Sequence, residues 1–110
     1  MKVTIEQALQ QGLRLHKDGK LQEAKDLYRA ILQSRPEHPD ANHNLGVLAV
    51  SENKADEALP LFKAALKSNP EIEQFWHSYI DALINEEQFD NAKKVLKLAE
   101  KQGIEGEKFN

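Results

Sequence analysis

The sequence predicts an all-helical array of three helix-turn-helix repeats, an α-solenoid, and three observations predict it. The same residue types return every 34 residues: Ala24, Ala58 and Ala92; Tyr28, Phe62 and Leu96; Leu21, Ala55 and Phe89. Within each copy the apolar residues fall three and four apart, the spacing of one helical face. Turn and stop residues punctuate the copies at matching places, with Gly12 paired to Gly46 and Pro36 to Pro70. Three copies of 34 cover 102 of the 110 residues, so one domain spans residues 1–110, with repeats at about 5–38, 39–72 and 73–106.

Each copy reads as two amphipathic helices. The first helix of repeat one starts at Thr4, where Thr4-Ile5-Glu6-Gln7 has the capping-box spacing, and ends near Lys17-Asp18-Gly19, where glycine can take the left-handed conformation that closes a helix. The second runs from about Lys20 to Gln33, with Leu21, Ala24, Leu27, Tyr28, Ile31 and Leu32 on one face, until Arg35-Pro36 stops it. Repeat two opens at His38-Pro39, a proline suited to a first helical turn, and its internal turn lies around Ser51 to Asn53, asparagine replacing glycine. Pro60 falls inside the following helix and predicts a slight bend or a loosened first turn. In repeat three the helices are expected at about Glu73 to Asn85 and Gln88 to Gln102, closed by Gly103. Glu87 suits its turn position poorly, so this turn is expected to differ from the others.

The size pattern supplies the physical logic of the unit. Gly12, Gly46, Ala24, Ala58 and Ala92 let paired helices approach closely, while Tyr28, Phe62 and Leu96 fill the space between one pair and the next. A single hairpin cannot bury its own apolar face, so neighbours must stack.

Composition excludes several classes of function. A net charge of −3 offers no general attraction to nucleic acid or anionic lipid, and neither is expected as a partner. With no cysteine there are no disulfides and no thiolate ligands, which favours a cytoplasmic setting. The N-terminus turns polar before a signal-peptide core develops, and the longest apolar run, Leu45 to Val50, is far short of the roughly 20 residues that span a bilayer. No catalytic constellation is visible: Ser34, Ser51, Ser68 and Ser78 have no evident base, and no glycine-rich phosphate loop occurs. His43 and His77 stand one repeat apart on neighbouring first helices, but no third ligand completes a metal site, so they are read as a polar pair lining a groove. His16 and His38 fall at a helix end and in a loop. Lys93, Lys94, Lys97 and Lys101 form a basic stripe on the last helix, shared with Asp90 and Glu100, as a solvated face does. No enzyme activity and no cofactor are expected.

These residues resemble the tetratricopeptide repeat family, whose signature is W-x2-L-G-x2-Y, then A-x3-F, then P. Repeat two matches through Leu45, Gly46, Ala58, Phe62, Ala65 and Pro70, with Asn42 and Ala49 at the tryptophan and tyrosine positions. Repeat three keeps Trp76, Tyr79, Leu83, Ala92 and Ala99, with Ile80 at the glycine and Ile104 at the closing proline. Repeat one keeps Gly12, Leu15, Ala24, Tyr28 and Pro36. The resemblance implies a right-handed superhelix whose first helices line a concave groove that holds a peptide or a partner helix. Repeat two also looks like the arrays that precede catalytic domains in bacterial glycosyltransferase-like, sulfotransferase-like or methyltransferase-like proteins, in which an asparagine at the place of Asn44 contacts peptide backbone. That likeness implies an N-terminal part of a longer protein.

In the family register the groove takes Leu9, Gln10, Leu13, His16 and Lys17 from repeat one. Asp40, His43, Asn44, Val47 and Val50 follow from repeat two, then Gln74, His77, Ser78, Asp81 and Ile84 from repeat three. Exposed apolar side chains beside short hydrogen-bonding ones suit an extended peptide, although Leu13, Val47 and Ile84 serve equally well as packing between helices. The paired lysine and arginine that grip an acidic C-terminus are missing, since Leu9, Leu13, Asn44, Gln74 and Ser78 stand at the corresponding places. A protein or peptide ligand in the groove is the leading expectation. The alternative is a self-assembling scaffold in which exposed repeat ends, near Val95, Leu98 and Ala99, stack into homo-oligomers.

Overall fold

The computed structural model describes residues 3–104, so the end of repeat three at 106 and the stretch 105–110 lie outside the described residues. Six helices follow one another: α1 (Ile5–Lys17), α2 (Leu21–Ser34), α3 (Pro39–Ser51), α4 (Ala55–Ser68), α5 (Glu73–Asn85) and α6 (Phe89–Lys101), with no strand among the described residues. Helices of 13 or 14 residues are about 20 Å long, and stacking them sideways gives a body of 46 × 26 × 21 Å. Each helix packs on the next, and α1, α3 and α5 also meet side by side. The odd-numbered helices therefore share one face of a helical solenoid.

Local chemistry sets the boundaries. Gln7 N donates to Thr4 Oγ1 at 3.0 Å and Thr4 N donates to Gln7 Oε1 at 2.9 Å, closing the capping box that starts α1. Pro39 opens α3, and His38, expected in a loop, is its cap: Ala41 N donates to His38 Nδ1 at 3.1 Å. The turn expected to be different is not. Gly19, Asn53, Glu87 and Gly103 all take positive φ, at 80°, 62°, 58° and 86°. The residue after each donates back to the helix end: Lys20 N to Leu15 O, Lys54 N to Ala49 O, Gln88 N to Leu83 O and Ile104 N to Ala99 O. The left-handed conformation costs a non-glycine residue about 1–2 kcal/mol; two satisfied end carbonyls and the packing of the hairpin offset it at Glu87. In the same motif Ile104 is buried against Ala65, Leu66 and Ala99, an apolar closure where the other repeats have proline. Pro60 does not break α4, which runs without interruption from Ala55 to Ser68.

The core is built on ring-to-backbone contacts. A Cβ added at Gly12 would lie 2.6 Å from Tyr28 Cε1, and one at Gly46 would fall onto the ring of Phe62. Each aromatic thus lies on the glycine of its own hairpin. Tyr28 at the same time belongs to the cluster with Ala41 and Leu48 of α3, so it joins neighbouring repeats as well. Repeat three solves the space differently, with buried Ile80 at the glycine position and the smaller Leu96 at the ring position. Asn42 and Trp76 occupy one register position and do one job: Asn42 Nδ2 donates to the carbonyl of Pro36 at 3.1 Å, and Trp76 Nε1 to that of Pro70 at 2.6 Å. An N–H donor, rather than an indole as such, ties the first helix to the preceding loop.

Gly46→Ala brings two opposed effects. Replacing helical glycine by alanine gains about 1 kcal/mol, and overpacking a filled core costs about 1–3 kcal/mol. Phe62 is buried and cannot retreat, so a lower urea midpoint is expected, recovered in Gly46→Ala combined with Phe62→Leu. Tyr28→Phe should move the midpoint the other way or leave it unchanged, because the Tyr28 hydroxyl is buried without a hydrogen-bond partner among the described residues. Removing it relieves a desolvation cost of order 1 kcal/mol. A clear loss of stability in Tyr28→Phe would show that the hydroxyl is satisfied.

Candidate functional site

The shared face of α1, α3 and α5 follows from the 34-residue register, which puts equivalent residues of successive first helices side by side. Between α3 and α5 this face opens into a cleft of about 280 Å³. Val47, Val50, Phe62 and Ala82 supply its apolar surface, and Ser51, Ser78, Asp81 and Asn85 its polar groups. Val47 and Val50 also pack against the Ala58–Phe62–Ala82 cluster, so they serve core and cleft together. The structure thus brings Val47, Ser78 and Asp81 of the expected groove residues to one place, with Val50 beside them.

The remaining candidates spread out along the face. Leu13 and Ile84, candidates for inter-helix packing, are 41% and 44% exposed. Lys17, Asp40 and Gln74 are exposed, while His16, Asn44 and His77 are half-buried. Leu9 is half-buried against the Tyr28 cluster. Gln10 lies with Glu6, Gln7 and Arg14 on the outer side of α1, away from the α3–α5 cleft.

His43 departs from expectation. Expected to line the groove, it is buried, its ring 5.4 Å from that of Phe62 and 4.9 Å from that of Phe75. Imidazole is flat and short enough to fill the gap between two aromatic rings, and its polar edge keeps a partner: His43 Nε2 and Ser78 Oγ are 2.7 Å apart. Gln74 Nε2 donates to the same Oγ at 3.3 Å, and the Ser78 hydroxyl donates to His43 Nε2 or accepts from it according to the imidazole tautomer. Burial pushes the His43 pKa below its ordinary value, against the opposing pull of Asn44 and of the Asp40 charge. The imidazole is neutral at pH 7 and locks α3 to α5 through Ser78 and Phe75.

Ser51, Asn85, Phe62 and Ala82 escaped the sequence reading. Ser51 and Asn85 are the register equivalents of Lys17, which was included, so the 34-residue step could have found them. Phe62 comes from a second helix, and no first-helix pattern points to it.

Neutral His43 gives a signed pH dependence. The unfolded chain takes up a proton near pH 6.5, whereas the folded chain resists it until lower pH. Unfolding therefore takes up a proton in that window; the stability is full above pH 6.5 and falls as the pH drops toward the folded value. Urea midpoints compared at pH 7.5 and 5.5 should fall more in the native sequence than in His43→Phe, which keeps the stacking and removes the titration. Equal falls in both would place the acid sensitivity elsewhere.

Comparison with known proteins agrees with this architecture. Residues 9–71 match the sequence profile of the tetratricopeptide repeat, and residues 49–103 match a second profile of the same description. No curated protein matches the chain. Among solved structures, MamA of MSR-1 superposes with a TM-score of 0.76 at 27% identity, covering 88% of this chain and 56% of its own. MamA of Desulfovibrio magneticus RS-1 gives 0.77 at 22%, covering 90% and 56%. The Yersinia enterocolitica type III secretion chaperone SycD, solved with a peptide of the translocator YopD, gives 0.81 at 17%, covering 93% and 78%. The chain spans just over half the length of the MamA chains it matches.

Proposed function

The chain belongs to the tetratricopeptide repeat family, and on that premise we propose that it is a protein-interaction module without catalytic activity, holding an extended peptide segment of a partner on the face of α1, α3 and α5. The observation that carries this reading is the cleft between α3 and α5, an apolar floor of Val47, Val50, Phe62 and Ala82 rimmed by Ser51, Ser78, Asp81 and Asn85. An apolar side chain can be buried on that floor while hydroxyl and amide groups meet the peptide backbone. The rim is short-chained, so little side-chain entropy is lost on binding. That SycD, similar in fold, was solved with a translocator peptide agrees with a solenoid of this size accommodating one.

A second reading, association of copies end to end, loses Ala99, which is buried, and Val95, which packs half-buried against the same core, and draws instead on Phe89 and Leu98, 53% and 52% exposed on α6. Its weakness lies at the other end. Where α3 presents Ala41, Leu45 and Leu48, α1 has Gln7, Gln11 and Arg14. An incoming apolar helix would meet amides and a guanidinium, so the peptide reading is preferred.

Asn44 is half-buried on α3, one turn before Leu48, and an amide offers a peptide group both a donor and an acceptor. Peptides selected from a random displayed library on the native chain should bind Asn44→Ala about fivefold more weakly, the loss of about 1 kcal/mol for one hydrogen bond. The melting temperature should stay nearly unchanged. Unfolding of Asn44→Ala with little effect on peptide affinity would make Asn44 a packing residue and remove it from the site.

A further inference from the structure

A second cavity, of about 260 Å³, opens where α2, α3 and α4 meet. From α3 and its C-cap come Leu45, Ala49 and Glu52, and at 3.6 residues per turn these lie on the side opposite to Val47, Val50 and Ser51. It is therefore separate from the cleft on the odd-numbered helices and is not explained by the reading above.

The repeat register shows why there is space. Position 49 is alanine where its equivalents are Leu15 and Leu83, and position 45 is leucine where repeat three has Tyr79. Missing side-chain volume leaves an apolar hollow between Leu45, Ala49, Pro60 and Leu61. The mouth is charged. Lys25 Nζ bonds Glu52 Oε1 at 2.8 Å, with the lysine side chain only 13% exposed. Lys54 and Arg29 converge on the same carboxylate, which Lys25 first of all holds below the usual carboxylate range. The lining thus sets three cations against Glu52 and Glu57, in a chain whose net charge is −3. Three cations against two carboxylates leave the mouth one positive charge in excess, and Arg29 and Lys54, both exposed, carry it over an apolar hollow while Lys25 holds Glu52.

We propose that this cavity is a second recognition site, which takes a bulky apolar side chain of a partner protein's segment that carries a carboxylate residue beside it. The hollow buries the apolar group, and the guanidinium and ammonium at the mouth bind the acid with charge-assisted hydrogen bonds. A segment with a basic neighbour would meet Arg29 and Lys54 as like charges and be rejected.

The test is a methyl and amide NMR titration of the whole chain with two probes, acetyl-Asp-Phe-Asp-amide and acetyl-Lys-Phe-Lys-amide. The acidic probe is expected to shift Leu45, Ala49 and Leu61 and to bind at least tenfold more tightly than the basic one. Ala49→Tyr fills the hollow with the residue that the repeat signature carries there; it should fold with an unchanged or higher melting temperature and lose that binding at least tenfold. Arg29→Glu combined with Lys54→Glu changes two exposed side chains and should reverse the preference between probes, which decides the matter even if Ala49→Tyr fails to fold. Equal affinity for both probes, shifts confined to Val47, Val50 and Ala82, or undiminished binding by folded Ala49→Tyr would each overturn the proposal.

Discussion

The contact of an aromatic ring with a bare helix backbone is the constraint on which the rest of the array depends. Tyr28 over Gly12 and Phe62 over Gly46 each require that the facing residue have no side chain at all. That requirement sets the separation of the two helices in a hairpin. The spacing between hairpins follows from the same rings, since their other surfaces meet the next first helix through Ala41 and Leu48 or through Ala82. Ring and glycine are 16 residues apart in sequence in both copies, so a local pattern carries a tertiary distance.

This explains what was legible in the sequence. A helix pair whose packing rests on one residue without a side chain repeats that residue at a fixed step, and Gly12, Gly46, Tyr28 and Phe62 announce the step openly. Helix ends were legible for the same reason: Thr4, Gly19, Pro39, Asn53 and Gly103 each act on the backbone within a turn of themselves. Glu87 was not, because its side chain disfavours a conformation that the flanking helices impose on it. His38 was not either, because a histidine caps a helix only when Nδ1 carries no proton, a state no residue type declares.

The candidate sites were less legible than the fold. Which face of a first helix looks outward can be read from its spacing, and Val47 of α3 and Ser78 and Asp81 of α5, expected on the groove face, line one cleft. What lies between two helices depends on the sum of several side chains. His43 shows the difference: by position it belongs to the groove, yet the gap between Phe62 and Phe75 holds a flat ring and so draws it inside. Buried there, it contributes to the groove indirectly, through the position of Ser78.

Repeat two is where these demands meet. On α3 the residues Ala41, Asn42, His43, Gly46 and Leu48 are buried, Val47 and Val50 face one cleft, and Leu45 and Ala49 face another cavity. A helix packed on so many sides cannot show the single apolar stripe of a surface helix, and its residues must be small: Ala41, Gly46 and Ala49 admit neighbours that longer side chains would hold off. Small residues leave volume unfilled wherever the neighbouring helix does not supply a ring. On the buried side Phe62 supplies one over Gly46. Beside Ala49 the neighbouring helix supplies Glu57, Pro60 and Leu61 but no ring, and the hollow remains. The cavity and the tight hairpin are thus two outcomes of the same economy of side chains on α3, and they differ in whether an aromatic ring arrives to fill the space.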